Sequence, residues 1–169
     1  NYFTPYNTNS TATQIYQAAA TVPKTMMDYI KNTLQANGCA LKPVVLDEWN
    51  MFATGAMQQV SNVSGGFAIT VLGELLKNNY GLATRWDLIN GWQNGNDHGL
   101  FSPGDEPGVS KWSPRPSFYY LYYFQKMLGD RLVSATTTSS LYAFASTYTS
   151  GQLNVTIVNP AAEAITASV

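Results

Sequence analysis

The sequence predicts an α/β fold in which parallel βα units are followed by an antiparallel β segment. Three observations carry this. Two apolar runs, residues 44–47 and 82–89, stand about forty residues apart, with helix-patterned sequence between and around them. Strands separated in this way by helices pair in parallel, as they do in a (β/α)8 barrel. From Arg131 onward the apolar pattern changes to period two. The parallel units occupy residues 1–132 and the antiparallel segment 133–169. A complete barrel needs roughly 250 residues, so residues 1–132 supply only about its last quarter.

Each element has its own signal. Residues 11–20 are helix-patterned up to an interruption at Pro23, where a second helix can begin because proline is tolerated in a first turn. Met26, Met27, Ile30 and Leu34 recur at helical spacing, and Gly38 stands where a C-terminal cap belongs. Pro43 leads into the strand 44–47. Gly65-Gly66 precedes a helix whose Phe67, Val71, Leu72, Leu75 and Leu76 form an apolar stripe. Asn78-Asn79-Tyr80-Gly81 ends it, and 82–89 reads as the second strand. Residues 90–113 form a long polar loop rich in Gly, Asn, Asp and Pro, a length that usually signals function or disorder. A third helix spans 117–128, its cluster from Phe118 to Phe124 expected in the core. Leu141, Ala143 and Ala145, then Leu153, Val155 and Ile157, alternate with their neighbours on either side of a Ser150-Gly151 turn.

Composition narrows the function. Only 11% of residues are charged, against a usual ~25%. Aromatics make up 13%, with eleven Tyr and four Trp, and the net charge is −1. No basic footprint points to nucleic acid, and no apolar run is long enough for a membrane helix. One His with scattered carboxylates makes no zinc site, and the 94–105 loop lacks the first and last acids of a calcium loop, so neither metal nor cofactor is expected. The single cysteine, Cys39, is expected to be a small buried hydrophobe. A weakly charged chain rich in amides and aromatics suits neutral sugars.

The stretch Val44-Val45-Leu46-Asp47-Glu48-Trp49-Asn50 concentrates the chemistry. In a (β/α)8 barrel the reactive groups stand at the C-terminal ends of strands. Strict alternation places Val44, Leu46 and Glu48 on one face and Val45, Asp47 and Trp49 on the other. If the first face points inward, two aliphatics fill the interior and Glu48 stands at the rim, partly desolvated, as suits a nucleophile or proton shuttle. The local pattern by itself favours a solvated strand exit, or ion pairing of Asp47 and Glu48 with Arg85, because charge at strand ends is common.

That stretch resembles the seventh-strand motif of clan A glycoside hydrolases, in which a Glu at the strand end is the nucleophile. The run Asp47-Glu48-Trp49-Asn50 is similar to arabinofuranosidases of glycoside hydrolase family 51, and a Glu-Trp context also occurs in family 39. The run from Ala83 to Trp92, with Asp97-His98-Gly99-Leu100-Phe101-Ser102 and Arg115-Pro116-Ser117-Phe118-Tyr119-Tyr120, looks closer to agarase-like enzymes such as family 86.

The resemblance implies the C-terminal portion of a (β/α)8 TIM barrel followed by an antiparallel β-sandwich segment. Residues 1–3 would end strand six, 44–48 would be strand seven and 82–90 strand eight. It implies a retaining glycoside hydrolase acting on an extracellular plant or algal polysaccharide, and so a secreted, periplasmic or cell-surface protein. Glu48 would be the nucleophile. The acid/base Glu of the clan follows an Asn at the end of strand four, upstream of Asn1, so the rest of the barrel is an expected partner. Candidate substrate contacts are Tyr2, Asn50, Trp86, Asn90, Trp92 and His98. Indole faces stack on sugar C–H surfaces, which favours Trp86 and Trp92. The alternative is a non-catalytic carbohydrate-binding relative. The chain by itself is expected to fold poorly, because two parallel strands leave an open edge and uncovered apolar faces.

Overall fold

The computed structural model describes residues 10–52 and 57–169. Helix α1 (Ala12–Ala36) leads to β1 (Val45–Trp49), α2 (Asn62–Lys77), β2 (Leu82–Arg85), α3 (Pro116–Met127), and the strands β3 (Arg131–Val133), β4 (Tyr142–Thr147) and β5 (Leu153–Val158). β1 and β2 pair in parallel around α2, forming a βαβ unit, while β3, β4 and β5 form a separate antiparallel sheet. The predicted mixed α/β class and the change of pairing near Arg131 are both present. The described parallel sheet has two strands.

α1 starts at a capping box. The Gln14 N–H donates to Thr11 Oγ1 at 3.2 Å, and the Thr11 N–H donates to Gln14 Oε1 at 2.8 Å. The expected break at Pro23 is absent: α1 runs on for 25 residues with Pro23 inside it. A proline there removes a backbone bond and costs on the order of 3 kcal/mol in an exposed helix. Pro23 is fully buried, its carbonyl accepts the Tyr80 hydroxyl at 2.8 Å, and Ala19 and Met27 are buried on either side of it. Packing of both halves on the same layer outweighs the lost bond. Cys39, just past the helix, is exposed rather than buried.

α2 is the hub. Its buried residues include Ser64, Gly65, Gly66, Phe67, Val71 and Gly73, covering most of its circumference. It can be so enclosed because neighbours come close where side chains are missing. A Cβ on Gly65 would lie 2.4 Å from the Tyr120 ring, and one on Gly73 2.3 Å from the Phe144 ring. Thus α2 holds α3 on one side and the antiparallel sheet on another. On a third side, Phe67, Ala68, Val71 and Leu75 join Ile15 and Ala19 of α1 and Leu46 and Trp49 of β1 in the principal core.

That core fixes the two faces of the parallel sheet. Leu46 and Trp49 turn toward the helices, while Val45 and Leu82 stay 53% and 55% exposed on the opposite side. In the antiparallel sheet, Tyr142 and Val158 pack with Phe124 and Tyr16. The reverse face, with Leu141, Ala143, Leu153 and Ile157, borders an open groove of about 710 Å3. The β4–β5 turn closes at Tyr148–Gly151, where the Gly151 N–H donates to Tyr148 O at 2.9 Å and Gly151 takes φ +87°.

Candidate functional site

The strand end differs from strict alternation. Leu46 pairs with Ala83 and Trp49 with Arg85, so Asp47 and Glu48 together face the single residue Thr84. This is a β-bulge, which inserts one residue and shifts the phase of the strand. The Thr84 hydroxyl bonds the Asp47 carbonyl inside it. The predicted grouping of Val44, Leu46 and Glu48 on one inward face is therefore corrected. Leu46 belongs to the helix-facing core, Trp49 joins it across the bulge with its ring 6.3 Å from Phe67, and Glu48 is released from that side. Glu48 is half-buried and Asp47 exposed. The strand also runs on to Trp49, so Glu48 lies within its last turn of pairing.

Arg85 pairs with neither acid. Its Nη1 donates to the carbonyls of His98 at 2.9 Å and Asp87 at 3.4 Å. Burial pulls its pKa down to about 10, opposed by the charges of Asp87 and Asp97. Next to it, Asn50 is fully buried and donates its amide to the Trp86 carbonyl and, at 3.3 Å, to that of His98, while its Oδ1 accepts the Met51 N–H at 2.7 Å. Expected to face substrate, Asn50 instead ties the end of β1 to the start of the 86–115 loop.

Trp86 follows β2 directly, its N–H donating to Trp49 O at 3.0 Å, and its side chain stays 43% exposed. The Trp86–Asp87 peptide bond is cis. His98 is buried, with its ring 6.1 Å from Phe52 and its Nδ1 3.5 Å from the Asn90 amide, which also reaches Asp87 at 3.5 Å. Burial and the Arg85 charge lower the His98 pKa to about 4, against smaller opposing effects of Asp97 and Glu48. At neutral pH the imidazole is uncharged, and Glu48 is close enough for its charge to be felt there. Glu48, Asn50, Trp86, Asn90 and His98 thus gather at the C-terminal ends of two adjacent parallel strands. Trp92 lies on another part of the loop, its ring 5.7 Å from the Arg115 guanidinium and its N–H donating to Asp105 at 2.9 Å. Tyr2, and the strand end expected at residues 1–3, lie outside the described residues.

The 86–115 loop is anchored by charge. Arg115, 6% exposed, bonds both Asp97 and Glu106. Burial alone would lower its pKa, but these carboxylates hold it above the ordinary value. Glu106 is half-buried in this pair, while Asp105 stays exposed and only accepts the Trp92 N–H. Asp97 is fully buried and also accepts the Gly99 N–H at 2.8 Å. Backbone bonds complete the clasp: Leu100 N–H to Leu88 O at 3.0 Å, and Arg115 N–H to Leu100 O at 2.8 Å.

Asp87, Asp97 and Arg115 were missed in the sequence. Asp87 carries a buried Oδ1 with no hydrogen-bond partner among the described residues, and burial raises its pKa against the pull of Arg85. Its only sequence signal is a carboxylate directly after a strand-end Trp. Among the described residues no cluster of three or more His, Cys, Asp or Glu is placed to hold a metal ion, and no helix is long and apolar enough to cross a membrane.

No protein-family model matches the chain, and no curated protein matches it. Among solved structures it is similar to CelM2, a bifunctional glucanase-xylanase from a metagenome library, with a TM-score of 0.58 and 15% identity. The superposition covers 94% of this chain and 30% of that one, so the chain spans under a third of its neighbour's length. What the likeness carries is the fold: the mixed α/β arrangement, through nearly all of this chain, is also found within a glucanase-xylanase.

Proposed function

We propose that this chain contributes one side of the active site of a retaining glycoside hydrolase, with Glu48 as nucleophile. The observation that carries the reading is the bulge in β1. It leaves Glu48 out of the helix-packed core at the C-terminal end of a parallel strand, next to the strand that the exposed Trp86 directly follows. In this reading residues 1–132 are the C-terminal part of a (β/α)8 barrel, residues 133–169 begin a β-sandwich, and the remaining strands hold the acid/base carboxyl. The fold likeness to a glucanase-xylanase fits a plant or algal polysaccharide as substrate, with action outside the cytoplasm. The sequence motifs point to an agarase-like enzyme or to an arabinofuranosidase or xylosidase.

The chemistry follows from the geometry of such pairs. Two carboxyl groups ~5–5.5 Å apart flank the anomeric carbon in retaining enzymes. The Glu48 carboxylate attacks that carbon while the partner acid protonates the leaving oxygen, and the glycosyl ester is then opened by water that the same partner deprotonates. Trp86 offers a face for the sugar ring. Neutral His98, held by Asn90, adds no positive charge beside the nucleophile, so Glu48 keeps its electron density for attack. Asn50 and Arg85 position the strand end without touching the sugar.

The test is Glu48→Gln in the protein assayed on soluble xylan and β-glucan. Loss of kcat by at least about 10³-fold is expected, together with labelling of Glu48 in the parent protein by a 2-deoxy-2-fluoro glycoside. Undiminished turnover of Glu48→Gln would refute the assignment. A second reading, carbohydrate binding without hydrolysis, draws on the half-exposed Trp86. It predicts that the parent protein binds these polysaccharides through Trp86 and releases no reducing ends.

A further inference from the structure

We propose that Asn90, backed by Asp87, fixes His98 as the neutral imidazole with its proton on Nε2, and is thereby a positioning residue of the Glu48 site. The Asn90 amide can point only one way. Its Oδ1 accepts the Gly91 N–H at 2.7 Å, so its Nδ2 is the end turned toward Asp87 and His98. From there it reaches Asp87 Oδ2 and His98 Nδ1, each at 3.5 Å. A flipped amide would lose the Gly91 bond and set its oxygen against the Asp87 carboxylate. Expected to contact the sugar, Asn90 has its amide engaged within the protein instead.

That orientation selects the tautomer. The nitrogen of an amide donates and does not accept, so the imidazole nitrogen opposite it must be the unprotonated one. Nδ1 therefore accepts, and the proton of the neutral ring sits on Nε2. At 3.5 Å each contact is longer than an ordinary hydrogen bond and contributes little by itself. The choice between tautomers is decided all the same. The alternative sets Nδ1–H against N–H in a pocket where His98 is only 7% exposed. Taking up a second proton would oppose the same donors, so the amide works with burial and the Arg85 charge against the imidazolium. Among the described residues, the charged groups around the ring are Arg85 of β2, Glu48 of β1 and Asp97 of the 86–115 loop, with Asp87 one amide away. Asp97 and Glu48 favour the charged ring, and Asn90 is the neutral group that opposes them.

The positioning role rests on the reading of Glu48 as nucleophile, since an uncharged ring leaves that carboxylate free to attack; the tautomer itself does not depend on it. The experiment is nitrogen NMR of the protein isotopically labelled at histidine, with His98→Gln to identify the signals, alongside kcat/KM against pH on soluble xylan or β-glucan. The parent should carry its imidazole proton on Nε2 at neutral pH. The exchange Asp87→Asn/Asn90→Asp keeps the net charge and moves the carboxylate next to the ring. Nδ1 should then carry a proton, and the His98 midpoint should rise from about 4 to about 5–7. kcat/KM should fall at least about tenfold as pH drops through that new midpoint, a limb that a merely structural loss would not create. If the exchange does not fold, Asn90→Ala, which removes the donor and adds no charge, should populate both tautomers. A parent ring protonated on Nδ1, or a folded variant that keeps the parent's tautomer, would overturn the proposal. So would a raised His98 midpoint with no new limb in kcat/KM while Glu48→Gln is inactive. An active Glu48→Gln would remove the hydrolase reading and the positioning role with it, the NMR result then deciding the tautomer alone.

Discussion

Replacing Arg115 by Met tests whether the 86–115 loop is held by its buried charges. The guanidinium is 6% exposed and meets the carboxylates of Asp97, 0% exposed, and Glu106, 12% exposed. In solvent such pairs contribute about 0–1 kcal/mol. Here the cost lies in what the substitution leaves behind. Asp97 would keep its bond from the Gly99 N–H but have an enclosed carboxylate oxygen with no cation bonded to it, Arg85 acting on it only through its charge. Removing one partner of a buried pair costs on the order of 3–5 kcal/mol. Against a total stability of roughly 5–15 kcal/mol that is a large share. Urea denaturation should show a loss in that range, with the slope unchanged unless the loop detaches separately. Asp97→Asn combined with Arg115→Met should recover part of it, giving a coupling on the order of 2–3 kcal/mol. Glu106, at the margin, keeps some access to water. A single-variant loss under about 1 kcal/mol, or additive effects of the two substitutions, would mean that solvent reaches the pair and the clasp is made by the backbone bonds alone.

The remaining predictions concern the imidazole, the hub helix and the nucleophile. His98 is the sequence's one histidine, so its ring proton resonances need no assignment by mutation; they should titrate with a midpoint near 4. Its folded value lies below the unfolded 6.5, so the unfolded chain takes up the proton first; stability contributed by neutral His98 is complete above about pH 6.5 and is lost as pH falls toward 4. A midpoint at 6.5 would place the ring in water. Gly73→Ala raises helix propensity by up to about 1 kcal/mol, yet its Cβ would meet the Phe144 ring at 2.3 Å. Phe144 is only 4% exposed, so the ring would have to shift within the packed layer to admit it. A net loss on the order of 1–3 kcal/mol in thermal or urea melts is expected, and a gain would mean that the sheet and α2 do not pack as described. Loss of turnover in Glu48→Gln completes the set.

How much of this was legible follows from the kind of signal each feature leaves. The period-two runs around Ser150-Gly151 and the apolar stripe from Phe67 to Leu76 report directly on which side is buried, and the strands and helix appear where those patterns place them. Pro23 misled because proline's local cost is visible in sequence, while the compensating burial of Ala19, Pro23 and Met27 is a tertiary effect. The tyrosines of α3, expected in the core, misled in the other direction: Tyr119, Tyr122 and Tyr123 are exposed. Aromatic content says how much area a helix offers, but only the position of α2, set by close approaches at Gly65 and Gly73, decides which rings are covered. Asn50 and Arg115 illustrate a third case. Both are buried, because the long irregular loop they hold has backbone groups and charges that need internal partners once it packs down.

The bulge at Asp47 and Glu48 joins these points to function. Alternation pairs Glu48 with Leu46, and Leu46 is in the helix-facing core, so a regular strand would drive the Glu48 carboxylate toward Phe67 and Val71. An unpaired carboxylate there would be expelled or would hold its proton. One inserted residue removes the conflict. Trp49, rather than Glu48, fills the next core position, and both acids are left facing Thr84 and the open side. The apparent excess of charge at the end of an apolar strand is thus the sequence trace of an extra residue: three core-seeking side chains, Leu46, Trp49 and Met51, spaced three and two apart rather than evenly. A variant lacking Asp47 would restore alternation, and the bulge predicts its consequence. Leu46, Trp49 and the old core contacts survive only if Glu48 takes the exposed position now held by Asp47. The shortened strand should therefore stay folded, judged by its melt, while the carboxylate moves by about one residue, roughly 3.3 Å along the strand. For a nucleophile this is a disabling displacement, since misplacement by even about 1 Å can cost 10²-fold in rate. Retained turnover in a folded variant of this kind would show that the position of Glu48 does not matter to the chemistry.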